Sequence, residues 1–167
     1  EHFGGYRLSD ALMTLYKFIW DDFCSWYLEM IKPAYGAPID RPTLDRTIGF
    51  FERLMSALHP FMPFVTEEIW RQLRDRGEGE DCIVSRYPEA GAYDDELIKE
   101  VEEAKDVVTN VREIRNSRGI KMKDELKVFA QDSHDVQAML AVDGMVPMIV
   151  KMGSLESLEV TQEEVDN

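Results

Sequence analysis

The chain has 167 residues, 44% of them hydrophobic, and a formal net charge of −14 at pH 7. That is enough for one real core with at most a small appended subdomain, and no uncharged apolar run of about 18 residues exists to span a bilayer. An overall charge this acidic argues against a broad nucleic-acid-binding face, which needs a basic footprint.

The opening Glu1-His2-Phe3-Gly4-Gly5 has neither the basic start nor the apolar stretch of a signal peptide. It also lacks an initiator Met, as a piece of a longer protein would. Cys24 and Cys82 have no metal-ligand partners at useful spacing. Two free thiols fit a reducing, cytoplasmic setting.

A first helix is predicted over Leu8 to Ile31, with Ser9 or Asp10 as cap and Pro33 as stop. Leu8, Leu12, Leu15, Ile19, Phe23, Trp26 and Met30 recur at helical spacing, widened by Tyr16, Trp20 and Tyr27. A helix this apolar has neighbours on more than one side. Its aromatics, with Trp70, read first as core. Asp40-Arg41-Pro42 opens a second helix with Asp40 as cap. Leu44, Ile48, Phe51, Leu54, Met55 and Leu58 form its buried face, and it ends before Pro60. Pro60 and Pro63 make an elbow in which His59 reads as a hydrogen-bonded structural histidine. A third helix runs from Phe64 to Leu73 on Val65, Ile69, Trp70 and Leu73.

Residues 75–93 are a loop rich in glycine and acid, tacked down by Ile83-Val84. A fourth helix is predicted over Asp95 to Arg118, with the stripe Leu97, Val101, Ala104, Val108 and Val111. Continued by helical spacing, that stripe lands on Arg115 and Arg118, and Gly119 can close the helix. Beyond it, Leu126–Ala130 reads as a strand, Val136–Leu140 and Met145–Met152 as short helices, and Leu155–Thr161 as a second strand. The fold class is therefore mainly α: a helical bundle over 1–120, a small strand-helix-helix-strand α/β unit over 121–161, and a polar tail over 162–167.

No catalytic constellation assembles. His2, His59 and His134 pair with no Cys or Ser in a nucleophile arrangement. Gly77-Glu78-Gly79 is too short and too acidic for a phosphate loop. Glu67-Glu68 and Asp94-Asp95-Glu96 sit at helix starts, where carboxylates serve the helix dipole. The charge is uneven, however. Residues 110–127 carry Arg112, Arg115, Arg118, Lys121, Lys123 and Lys127 against Glu113, Asp124 and Glu125, a basic island in an acidic chain. Arg112, Arg115, Asn116, Arg118 and Lys121 are the candidate RNA contacts, since guanidinium groups suit bidentate phosphate recognition. Pairing of the same cations with this chain's own carboxylates is the competing reading.

Three segments carry a resemblance. Phe18-Ile19-Trp20-Asp21-Asp22-Phe23-Cys24 with Trp26-Tyr27-Leu28-Glu29 and Lys32-Pro33 is the first. The run from Leu58 to Trp70 (LHPFMPFVTEEIW) is the second, and Val111-Arg112-Glu113-Ile114-Arg115-Asn116 the third. Together they resemble the anticodon-binding domain of class I aminoacyl-tRNA synthetases, most nearly the valyl enzymes. The resemblance spans roughly residues 6–120 and is weaker over the strand-helix unit. It implies a tRNA(Val)-binding domain beside catalytic and editing domains of the same polypeptide, with no DNA or membrane partner. It implies no catalytic residue, metal or cofactor here, ATP and magnesium belonging to the catalytic body. It implies further helical sequence before Tyr6, which would complete the bundle. Lys121-Met122-Lys123-Asp124 departs from the family's Lys-Met-Ser-Lys-Ser loop and is not taken as an ATP site. The alternative is a structural or protein-docking bundle with no RNA contact of its own.

Overall fold

The computed structural model describes His2 and residues 4–162, in two compact units divided between Gly91 and Ala92. The boundary at residue 120 that composition suggests thus falls inside the second unit, because the long fourth helix packs with the α/β elements that follow it. Of the polar tail, residues 163–167 lie outside the described residues.

In the first unit, α1 (Leu8–Lys17), a π-helical segment (Phe18–Tyr27) and α2 (Leu28–Ile31) run on without a break. Neither Ser9 nor Asp10 caps this helix. It starts at Leu8, after Arg7, so both residues already lie in its first turn. In the π segment the Leu28 N–H bonds to the Phe23 carbonyl, five residues back, and Ser25 Oγ donates to the Trp20 carbonyl at 2.9 Å. Such wide turns are rare beyond a single turn, and they change which residues share a face. The core takes Phe23 with Ile19, Cys24, Tyr27 and Leu28. Trp20 is not core: it is 60% exposed and stacks on Tyr16, ring centroids 6.4 Å apart.

Asp40 caps α3 (Arg41–Leu58), accepting from the Thr43 N–H at 2.9 Å. That bond holds the Asp40 carboxyl below its usual range. Phe23 stacks between Tyr27 and Phe51, each centroid 5.4 Å away, over Leu54 and Met55. Leu44, expected on this face, is exposed. At the elbow, α4 (Pro63–Leu73) begins on Pro63. His59 Nδ1 lies 2.7 Å from Thr66 Oγ1, which donates to the Met62 carbonyl at 2.8 Å. Thr66 is fully buried, and His59 is the structural histidine the sequence predicts.

The following loop is held by polar ties. The Cys82 and Ile83 N–H groups bond to Glu67, Arg71 pairs with Asp81, and Arg76 lies 3.9 Å over the Trp70 ring while pairing with Glu52. The apolar tack is Cys82, 2% exposed in a short 3-10 turn (Cys82–Val84), and not Ile83-Val84, whose side chains face out. Burial pushes the Cys82 thiol up.

In the second unit, Asp94 caps α5 (Asp95–Arg118) through the Glu96 and Leu97 N–H groups. Its stripe Ala104, Val108 and Val111 is buried, and α5 packs on α6 (His134–Ala141) and α7 (Met145–Gly153). These two helices connect β1 (Leu126–Gln131) to β2 (Leu155–Thr161), which pair in parallel from Lys127↔Ser157 to Gln131↔Thr161. Parallel strands need such a crossover. Met139, Met145, Ile149 and Met152 fill the space beneath. The mainly α class with a small strand-helix-helix-strand unit is as the sequence predicts. No single helix among the described residues is long and apolar enough to cross a membrane.

Two outcomes test these packing claims. Thr66→Val strands the His59 ring nitrogen and lowers unfolding free energy by roughly 1–3 kcal/mol, read by denaturant titration. In the native chain near neutral pH, Cys24 reacts with a thiol reagent well before Cys82, which stays buried and protonated; equal rates would mean that the polar ties do not hold the loop closed.

Candidate nucleic-acid interface

The basic island occupies the last turns of α5 and the loop leading to β1. Its side chains do not share one fate. Arg115 continues the buried stripe of α5, four residues after Val111, and is 1% exposed. Its Nη1 donates to the Lys121 and Asp124 carbonyls at 2.9 and 2.8 Å, and its Nη2 to the Ser154 carbonyl at 2.6 Å. The structure therefore takes Arg115 off the surface and corrects its reading as a phosphate contact. A helical stripe that ends on a long side chain goes on burying it when backbone acceptors wait at its far end.

Arg112, one turn earlier, is half-buried and donates from Nη2 to the Met152 carbonyl at 3.1 Å. Both arginines thus reach the C-terminal end of α7, where carbonyls have no partner in the helix and the dipole is negative. The acceptors of these four bonds are main-chain oxygens.

Asn116, Arg118 and Lys121 are exposed, and so is Lys123, which belongs to the basic island but not to the candidate contacts drawn from the sequence. Among the described residues, Arg118, Lys121 and Lys123 make no ion pair or side-chain hydrogen bond. Lys127, by contrast, pairs with Glu156 at 3.4 Å. Gly119 takes the left-handed conformation (φ 66°), sending its N–H back to the Arg115 and Asn116 carbonyls and ending α5. A turn follows, closed by the Asp124 N–H on the Lys121 carbonyl at 3.0 Å. Ile114 and Met122, both about half exposed, lie on the same stretch. The result is a short surface with unpaired cations and some apolar area, suited chemically to phosphate oxygens and ribose or base faces.

Elsewhere the carboxylates marked in the sequence have structural work. Glu67 binds loop N–H groups, Glu68 accepts from Gln72, and Asp94 caps α5. Among the described residues no cluster of His, Cys, Asp or Glu is placed to hold a metal ion.

Residues 1–130 match the family model described as the anticodon-binding domain of tRNA ligase. The chain is 44% identical over 164 residues to the valine–tRNA ligase of Phocaeicola vulgatus, covering 98% of this chain and 18% of that protein. It is 41% identical over 166 residues to the enzyme of Christiangramia forsetii, covering 99% of this chain and 18% of the relative. The valine–tRNA ligase of Oceanobacillus iheyensis shares 41% over 116 residues, 68% of this chain and 13% of its own length. The chain thus spans about a fifth of the length of the first two relatives. With a family model matching from the first helix into β1, and with the three motif segments inside that match, the chain belongs to the family of anticodon-binding domains of tRNA ligases.

Proposed function

We propose that this chain is the tRNA-binding domain of a valine–tRNA ligase, holding the anticodon end of tRNA(Val) while a separate catalytic body charges the acceptor end. The observation that carries this reading is the similarity of nearly this whole chain to about a fifth of the length of valine–tRNA ligases, within a family match to anticodon-binding domains. Activation of valine, with ATP and magnesium, belongs in this reading to the larger part of such a ligase that the match does not include.

The RNA contacts fall on Asn116, Arg118 and Lys121, with Lys123 added. Arg118, Lys121 and Lys123 supply charge and Asn116 a neutral donor and acceptor. Arg112 and Arg115 act behind them. The acidic remainder of the chain gives this reading a second element: like charge repels a polyanion wherever carboxylates dominate, so the exposed cations from Arg118 to Lys123, a short basic ridge, are the favoured place of approach. Unstacked anticodon-loop bases are the part of the RNA that side chains can read by edge and face.

Binding of the chain to tRNA(Val) and to an anticodon-swapped tRNA, at two salt concentrations, tests the proposal. Affinity that falls with salt and prefers the valine anticodon is expected. Replacing Arg118, Lys121 and Lys123 together by Gln flattens the dependence of log K on log salt, by roughly 0.7–0.9 for each phosphate no longer neutralised. A triple variant that binds with unchanged affinity and slope overturns the assignment of the ridge, and favours a bundle that docks on protein instead.

A further inference from the structure

We infer that Arg115 is the positioning residue of the RNA-binding ridge: its buried guanidinium sets the loop that presents Lys121 and Lys123, without touching RNA itself. The inference rests on the reading of that ridge as the RNA contact.

The geometry is specific. Arg115 projects from the last turns of α5 and binds two carbonyls of the same short loop, at Lys121 and Asp124, from one nitrogen. Those anchors bracket Met122 and Lys123. The chain between them can neither swing out nor slide without breaking a bond that, in a buried site, water does not replace. The third bond, to Ser154, ties the same guanidinium to the turn between α7 and β2. Ser154 is held there with φ of 54°, a left-handed conformation unusual for a residue with a side chain. Such a conformation persists where its surroundings over-determine it. Next to it, Arg112 on the Met152 carbonyl closes the end of α7. Gly119 and Ile120 begin the loop, and the Ile120 N–H returns to the Arg115 carbonyl at 2.9 Å, so the main chain of Arg115 holds one end of the loop while its side chain holds the other.

This arrangement explains why a cation is buried where an apolar residue would continue the stripe. Leu or Met could fill the volume. Neither could supply donors to three carbonyls that point inward from two different segments. Lysine keeps the charge but has a compact ammonium in place of a planar fork and cannot span the same acceptors. Ordering the loop in advance removes an entropy cost from the binding step, since long cationic side chains on a mobile loop must otherwise be fixed when RNA arrives.

Arg115→Lys therefore separates charge from position. Net charge is unchanged, yet the Asp124 amide, which bonds to Lys121, should exchange with solvent faster. The affinity for tRNA(Val) at about 0.15 M salt should fall on the order of tenfold, with a flatter salt dependence, towards that of the Arg118/Lys121/Lys123→Gln triple variant. Because a core substitution can unfold the unit, a second variant leaves Arg115 in place: two glycines inserted between Met122 and Lys123 lengthen the span between the anchors. It should keep the far-ultraviolet spectrum and lose affinity in the same way. If either folded variant binds tRNA(Val) with native affinity and slope while the Gln triple does not, the positioning role is wrong and the ridge reading stands. If the triple itself binds normally, the ridge reading fails first, and this inference fails with it.

Discussion

A guanidinium cannot shed its charge, so once buried it must give its N–H groups to acceptors or leave a large desolvation cost uncompensated. In the second unit that demand falls on Arg115, and three main-chain carbonyls take up Nη1 and Nη2, while Nε is buried without a partner. Carbonyls are a telling choice. A carboxylate partner would make a neutral pair on one pair of side chains, whereas main-chain acceptors tie the charge to the course of the backbone. The last turns of α5, the loop into β1 and the exit of α7 are fixed to one another because each carries a group that this side chain bonds. The negative end of α7's dipole adds to the same effect, with Arg112 beside it.

Polar ties also decide the first unit where its apolar surface is ambiguous. The helix from Leu8 to Ile31 has more apolar residues than one core can cover, and several large ones, among them Met13, Tyr16 and Trp20, face outward. The π segment selects which of them turn in. At the elbow, the His59–Thr66–Met62 chain of hydrogen bonds settles the angle at which α4 leaves α3. The loop after α4 buries almost nothing beyond Cys82. It is placed by bonds from Glu67, Arg71 and Trp70 to the loop and by its own Arg76 reaching back to Glu52 and the Trp70 ring, which take the role a hydrophobic anchor would have had.

Charge then connects the fold to its proposed task. A protein with net charge −14 meets a polyanion most easily where basic residues gather, and in the proposed reading that place is the stretch from the end of α5 to β1, with six basic residues against three acidic ones. Of the six cations in that island, two are drawn inward to backbone carbonyls and one pairs with Glu156. The surface proposed for RNA is therefore smaller and better defined than the charge tally suggests. Its strength would come from order as much as from the number of charges.

Periodicity, turn residues and prolines place the helices and both strands, and the three motif segments carry the family. The Asp40 and Asp94 caps, the stop before Pro60 and the left-handed Gly119 are local chemistry, decided within a few residues of the chain. The basic island was equally plain. The side chains' destinations were not. Arg115 and Arg118 look alike along the helix, yet one is buried and the other exposed. Trp20 sits on a stripe that a π turn rotates outward, and Cys82 anchors a loop where two larger apolar neighbours were the natural choice. Each depends on what the far end of a side chain meets: carbonyls from residues 121, 124 and 154, a turn widened by one residue, a carboxylate on another helix. Spacing along the chain determines which side of an element a residue occupies, but only the packing of distant segments supplies the partners that decide whether a polar group is drawn inside or left to face solvent.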